Sequence, residues 1–260
     1  MPEASNGDVR IHYQVEGDGP ALILHTGGGG DLRMWRLAGF SERLEGYTRI
    51  LMDHRGHGRS DRPADPAEHG TDRYVGDVLA VADTAGAGRF AFFGYSGGAT
   101  IGYRLAAEHG DRVGALIALG AVGSPDDPPA AQWDAASKLR RHGIGSLVDD
   151  LLADEPDLSP WFLEQMRSTD AEMLALQLEG SAAFSPWDAF ARIIVPTLVV
   201  VGELEEGPDG AAALHARTAV DLVPGGRFAV LPGLGHGGAF ERSDLVLAQV
   251  RPFLAELDLG

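Results

Sequence analysis

The sequence predicts an α/β fold: a mostly parallel twisted sheet flanked by helices, with a helical cap inserted after the strand that ends near Gly120. Two observations carry this. Short apolar runs alternate with helical patterns from Ala21 to about Gly120 and again from Thr197 onward, the pattern of parallel strands joined by crossover helices. Between them, residues 123–187 hold no strand-like run, and Pro125, Pro128, Pro129 and Pro186 mark the ends of the interval. The 260 residues suffice for one large domain, which would bury roughly three quarters of its unfolded surface.

Taken in order, strands are expected at 9–14, 21–25, 48–53, 90–94, 113–120, 197–202 and 227–231. Helices are expected at 32–44, 72–85, 99–109, 211–219 and 244–257, the last with Ser243 as its N-cap. Helical patterns at 131–141, 145–153, 160–167 and 171–178 fill the insertion. The chain thus divides into a core, 1–122 and 188–260, and a cap, 123–187. A cap placed there covers the carboxyl ends of the strands, where open α/β sheets bind ligands. Its aromatic residues, Trp133, Trp161, Phe162, Phe184 and Trp187, point either to an apolar substrate or to the cap's own core.

Composition narrows the chemistry. No cysteine is present, which excludes disulfides and thiolate catalysis. The net charge is −17, and Lys138 is the only lysine. Such a field disfavours nucleic acid and anionic membranes as partners, leaving a small-molecule substrate. The polar, acidic start does not resemble a signal peptide. The most apolar stretch, 193–201, is short and broken by Pro196. A soluble, cytoplasmic protein is the expectation, with oligomeric state undecided.

The most informative segment is Phe90-Ala-Phe-Phe-Gly-Tyr-Ser-Gly-Gly-Ala99, which reads strand, sharp turn, helix. Its Gly94-Tyr95-Ser96-Gly97-Gly98 fits G-x-S-x-G in the context that motif requires. The small residues on either side relieve crowding in the turn. Ser96 then begins a helix, whose N-terminal dipole favours developing negative charge. A serine hydroxyl needs a base at neutral pH. Of nine histidines, His236 stands out because it lies in a glycine-rich loop, Leu231-Pro-Gly-Leu-Gly-His236-Gly-Gly, after the last strand. His12 lies on an early strand, His69, His109 and His142 at helix ends or polar loops, and His215 on a helix surface.

A second glycine-rich loop, His25-Thr-Gly-Gly-Gly-Gly-Asp31, follows the strand at 21–25. It does not fit the dinucleotide fingerprint G-x-G-x-x-G: starting at Gly27 the third glycine falls on Leu32, and starting at Gly28 on Arg33. The Walker lysine is absent too.

Together with the turn Asp53-His-Arg-Gly-His-Gly-Arg-Ser-Asp61, these segments resemble the α/β-hydrolase superfamily, in its capped, esterase-like branch. The resemblance implies the order Ser…Asp/Glu…His, so the acid should follow the strand at 197–202. Glu205 is favoured there; Glu203, Glu206 and Asp209 are alternatives, as are Asp126 or Asp127 after the strand ending at Gly120. It also implies an oxyanion hole built from the backbone N–H of Gly97 and one from the first loop, Gly27 before Gly28, with Tyr95 also at the substrate. Two departures stand out: His25 is followed by Thr26 rather than Gly, and a glutamate replaces the usual aspartate. The Asp53–Asp61 turn is structural in the family. Its two histidines have no evident third ligand, so no metal and no cofactor is expected. Serine at the nucleophile position, rather than aspartate, argues against epoxide opening and halide displacement.

The function implied is hydrolysis of a carboxylic ester, lactone or thioester of a small, mainly apolar substrate. The same constellation serves carbon–carbon bond hydrolysis, acyl transfer and cofactor-free perhydrolysis; a non-catalytic small-molecule receptor is the reading from another class.

Overall fold

The computed structural model describes residues 2–120, 122–126, 129–205 and 210–259. Strands β1 (Glu3–Asn6) and β2 (Val9–Glu16) form a hairpin turning on Gly7, at φ 62°. β1 was not expected: it is short and polar, and it exists because every residue from Glu3 to Asn6 pairs with β2 while Ala4 is buried. β3 (Ala21–His25) leads into α1 (Met34–Leu37) and α2 (Phe40–Arg43). The single helix expected over 32–44 is broken at Gly39, which is left-handed at φ 79°. β4 (Thr48–Met52), α3 (Thr71–Thr84), β5 (Phe90–Tyr95), α4 (Gly97–Glu108) and β6 (Val113–Leu119) follow.

Among the described residues, five helices separate β6 from the next strand: α5 (Pro129–His142), α6 (Ile144–Asp154), α7 (Pro160–Arg167), α8 (Ala171–Ser181) and the short α9 (Trp187–Phe190). The chain then runs through β7 (Thr197–Gly202), α10 (Ala211–Asp221), β8 (Arg227–Leu231), α11 (His236–Glu241) and α12 (Ser243–Ala255). Ser243, expected as an N-cap, is instead the first residue of α12. Its hydroxyl is taken up elsewhere, donating to the Ala38 carbonyl and accepting from Arg43.

The eight strands form one sheet in the order β1-β2-β4-β3-β5-β6-β7-β8. β2 runs antiparallel to both of its neighbours, β1 and β4, and every pairing from β4 to β8 is parallel. β5, β6 and β7 are buried along their whole length, as continuous apolar runs covered on both faces should be. Successive side chains go to opposite faces. Phe92 packs with Tyr74, Val78, Tyr103 and Phe190 under α3, α4 and α9. Phe93 packs with Trp35, Phe40, Phe240 and Val246 under α1, α2, α11 and α12. Trp35 is the centre of that second face, its ring 5.1, 5.0 and 5.1 Å from Phe40, Phe93 and Phe240. Among the described residues no helix is long and apolar enough to cross a membrane.

Strand order places the site. From β3 the chain steps to β4 on one side and then to β5 on the other. The loops leaving β3 and β5 therefore meet at the point where the winding reverses, the usual ligand crevice of such sheets.

Candidate active site

Ser96 sits in the turn between β5 and α4 with φ 56° and ψ −125°, and among the described residues it is the only non-glycine with positive φ. A strained conformation of this kind costs about 1–3 kcal/mol and persists only where surroundings enforce it. Here the Ser96 N–H donates to the Leu119 carbonyl at 2.9 Å, and its own carbonyl accepts from Ala99 at 2.8 Å. The flanking glycines are required sterically: a Cβ on Gly94 would lie 2.3 Å from the Gly98 carbonyl, and one on Gly98 would lie 2.3 Å from that of His25.

His236 is not in a loop, as its glycine-rich surroundings implied, but is the first residue of α11. Its Nδ1 lies 3.1 Å from Glu205 Oε2. A carboxylate only accepts, so Nδ1 carries the proton and Nε2 is left as the basic nitrogen. The other Glu205 oxygen accepts the Gly202 N–H at 2.8 Å, which fixes the carboxylate at the end of β7. The Glu205 side chain is 7% exposed and that of His236 34%. Burial alone would favour neutral imidazole. The charge and hydrogen bond of Glu205, aided by the charge of Glu155, outweigh it and raise the His236 pKa above its ordinary value. Among the described residues no hydrogen bond joins Ser96 Oγ to His236; in free hydrolases this contact commonly tightens only with substrate.

Of the other acids considered, Glu203 accepts from the Gly233 N–H at 2.8 Å and Asp126 is exposed. Glu206, Asp209 and Asp127 lie outside the described residues. Tyr95, expected at the substrate, is not part of the cavity lining. At the end of a strand its side chain goes to the face opposite its neighbours', and there it stacks on the His236 ring, centroids 4.9 Å apart. Its hydroxyl donates to the His236 carbonyl at 3.2 Å.

The loop after β3 approaches the elbow so closely that a Cβ on Gly27 would lie 2.2 Å from the Gly97 nitrogen. Gly27 is buried behind this contact, and Gly28, the second choice from sequence, is the residue that borders the cavity beside Ser96 and Gly97. The Asp53 carboxylate holds the loop in place, accepting the N–H of Leu32 at 2.8 Å and that of Arg59 at 2.9 Å. Arg55, in the same turn, is fully buried and paired with Asp77 and Glu68, each at 2.6 Å. His54 and His57, in the turn, and His25, at the end of β3, are all buried. Burial drives His25 and His57 down to about 4, and pushes His54 down as well. Among the described residues no three histidine, cysteine or acidic side chains are grouped to hold a metal.

A cavity of 720 Å³ opens over Ser96, between the sheet and the cap. Leu139, Leu147, Leu174, Leu178, Phe184 and Trp187 give it apolar walls. The cap aromatics thus divide: Phe184 and Trp187 line the cavity, Trp161 and Phe162 pack down on the core, and Trp133 is 57% exposed. Lys138, also at the cavity, is paired with Asp150 at 2.8 Å.

Gln177 was missed from sequence. It is 5% exposed and lines the cavity from α8, and its Oε1 has no hydrogen-bond partner. A Cβ on Gly97 would lie 3.0 Å from its Nε2, and one on Gly28 3.3 Å from its Oε1. The carboxamide is therefore laid across the two backbone segments that flank Ser96. The only trace in sequence is a glutamine amid the apolar run Met-Leu-Ala-Leu-Gln-Leu.

A sequence profile of the alpha/beta hydrolase fold matches residues 20–159. A non-heme haloperoxidase of Rhodococcus erythropolis is 29% identical over 96% of this chain and 97% of its own. A bifunctional esterase/perhydrolase of Acinetobacter calcoaceticus is 26% identical over 88% of this chain and 90% of its own. Among solved structures, an enol-lactonase from Burkholderia xenovorans LB400 superposes with a TM-score of 0.84 at 27% identity, over 98% of this chain and 100% of that one. The protein belongs to the alpha/beta hydrolase fold family and is an enzyme of that fold.

Proposed function

We propose that the protein is a serine hydrolase acting on a carboxylic ester, lactone or thioester through an acyl-enzyme on Ser96. The observation that carries this is the His236–Glu205 hydrogen bond at 3.1 Å, set beside a strained serine at the floor of an apolar cavity. Ser96 Oγ attacks the scissile carbonyl carbon while its proton passes to His236 Nε2. The tetrahedral oxyanion is held by the backbone N–H groups of Gly97 and Gly28, which together supply several kcal/mol in the transition state. His236 gives the proton to the departing oxygen or sulfur as that bond breaks. Water then attacks the acyl carbon, losing a proton to His236, and the acid leaves as the proton returns to Ser96. Glu205 keeps the Nδ1 proton in place and stabilises the imidazolium.

The apolar walls favour small substrates with hydrocarbon acyl groups. A second reading is supported by the relatives named haloperoxidase and esterase/perhydrolase: hydrogen peroxide in place of water at the second step would release a peracid.

Incubation with a fluorophosphonate tests the main reading. Labelling at Ser96, with a burst on p-nitrophenyl acyl esters, is expected. A folded protein that is not labelled at Ser96 would sink it. Adding hydrogen peroxide during ester turnover, and assaying for peracid, tests the second.

A further inference from the structure

The cap touches the catalytic machinery at a place the cavity does not explain. Glu155, which ends α6, accepts the N–H of Gly237 at 2.7 Å with one carboxylate oxygen and that of Gly238 at 2.8 Å with the other. Both donors are in the first turn of α11, where N–H groups have no partner within the helix. The fit is close, since a Cβ on Gly235 would lie 2.4 Å from Glu155 Cδ and one on Gly238 2.9 Å from its Oε2. Nearby, the Ser159 N–H donates to Glu241 at 2.9 Å, at the far end of α11. One cap segment therefore holds both ends of the helix that begins with His236.

Resting on the reading of His236 as the general base, we propose that Glu155 is a positioning residue: a cap carboxylate that fixes the main chain carrying His236 and so couples the seating of the cap to the geometry of the base. Several elements surround the imidazole and its main chain, and Gly120 after β6 lies so close that a Cβ there would be 2.8 Å from the ring's Cε1. Tyr95 on β5 stacks on it as a neutral phenol, Glu205 after β7 binds Nδ1, and Glu155 of the cap grips the next two peptide groups. On its own helix, Glu241 is turned to Ser159. Charge-assisted bonds to backbone N–H groups are among the stronger ones available to a loop. Small displacements of a catalytic group carry large rate penalties. The Glu155 charge also adds to that of Glu205 in favouring the protonated imidazole.

Glu155→Gln tests this, since it keeps the side chain's size but removes the charge and puts a donor where an acceptor was. The titration of His236 is followed by nuclear magnetic resonance, and Ser96 labelling by fluorophosphonate kinetics. The variant is expected to lower the His236 midpoint by about half a pH unit and to slow labelling about tenfold. Glu155→Asp keeps the charge with a shorter reach, so it should restore much of the midpoint but little of the rate. An unchanged midpoint and rate in Glu155→Gln, with or without a lower melting temperature, overturns the proposal. If Glu155→Gln does not fold, wild-type labelling kinetics in Glu155→Asp overturn it instead. A wild-type protein that is never labelled, yet whose His236 midpoint falls in Glu155→Gln, would refute the serine hydrolase and leave the Glu155 contact standing.

Discussion

The sheet and the cap solve different problems with different materials. At the carboxyl ends of β3 and β5 the functional groups are mostly main chain, brought together by glycines that leave no room for a side chain. From the helices between β6 and β7 it is side chains that reach down: Gln177 borders the cavity, and Glu155 meets the first turn of α11. Main-chain groups held by a buried sheet are preorganised, and their positions tolerate little change. On the proposed reading, the contrast teaches that the sheet's main chain would set the reaction type, while the helices between β6 and β7 would set the choice of substrate and the fine seating of the base.

Substitutions can break or sharpen that division. The largest effect is expected at the proposed nucleophile: Ser96→Ala should reduce ester turnover by at least about a thousandfold with the melting temperature little changed. Turnover within tenfold of wild type would move the chemistry elsewhere. Glu205→Gln should follow, at about a hundredfold to ten-thousandfold in kcat, because the Nδ1 proton loses its carboxylate.

Packing gives the next contrast. Trp35→Ala, in the sheet's aromatic cluster, should cost about 3–5 kcal/mol of stability. Trp133→Ala, on the exposed side of the cap, should stay within about 0.5 kcal/mol. Denaturant unfolding of both variants measures the difference, and comparable losses would show that the cap's outer face bears on stability as the core does.

Acid should act on the scaffold through its buried histidines. Burial lowers His25 and His57 to about 4, so the unfolded chain takes up their protons first. Stability is then full above about pH 6.5 and falls as pH drops toward 4, by at most about 1.4 kcal/mol per pH unit for each. His236, raised by its carboxylates, acts with the opposite sign, favouring the folded state below its unfolded pKa. A melting temperature that is flat from pH 7 to 4.5 would contradict the burial of this cluster. A more selective effect is expected at Gln177→Leu: about a tenfold change in the ratio of kcat/KM for a 2-hydroxyacyl ester over its unsubstituted partner, as a buried amide oxygen without a hydrogen-bond partner is removed. An unchanged ratio would take Gln177 out of substrate selection.

Much of this arrangement can be read along the chain. The strands at 21–25, 197–202 and 227–231 form at their expected limits, because apolar runs bounded by turn residues are a local signal. The elbow is equally local: strand, glycines, serine and helix lie within ten residues. Other features escape because they depend on contacts far apart in sequence. β1 has no apolar run, and forms through its ladder with β2. Residues 32–44 keep a helical pattern across Gly39, where the backbone turns left-handed. Tyr95 belongs to the nucleophile's motif, yet its ring goes to His236, 141 residues away. Glu155 and Gly237 are 82 residues apart, with no spacing rule to join them.

The sequence by itself determined the fold class, the helical stretch between the strand ending near Gly120 and the one at 197–202, and Ser96 and His236 as candidates, since each rests on periodicity or on a motif short enough to be written in one stretch. Only the tertiary structure decided that Glu205, rather than Glu203 or Asp126, meets His236, that Gly28 rather than Gly27 borders the cavity, and that Gln177 and Glu155 reach the site at all. Those are matters of distance between segments brought together by sheet order and helix packing, and hydrogen bonds that act over about 3 Å exist only once the whole chain has closed around them.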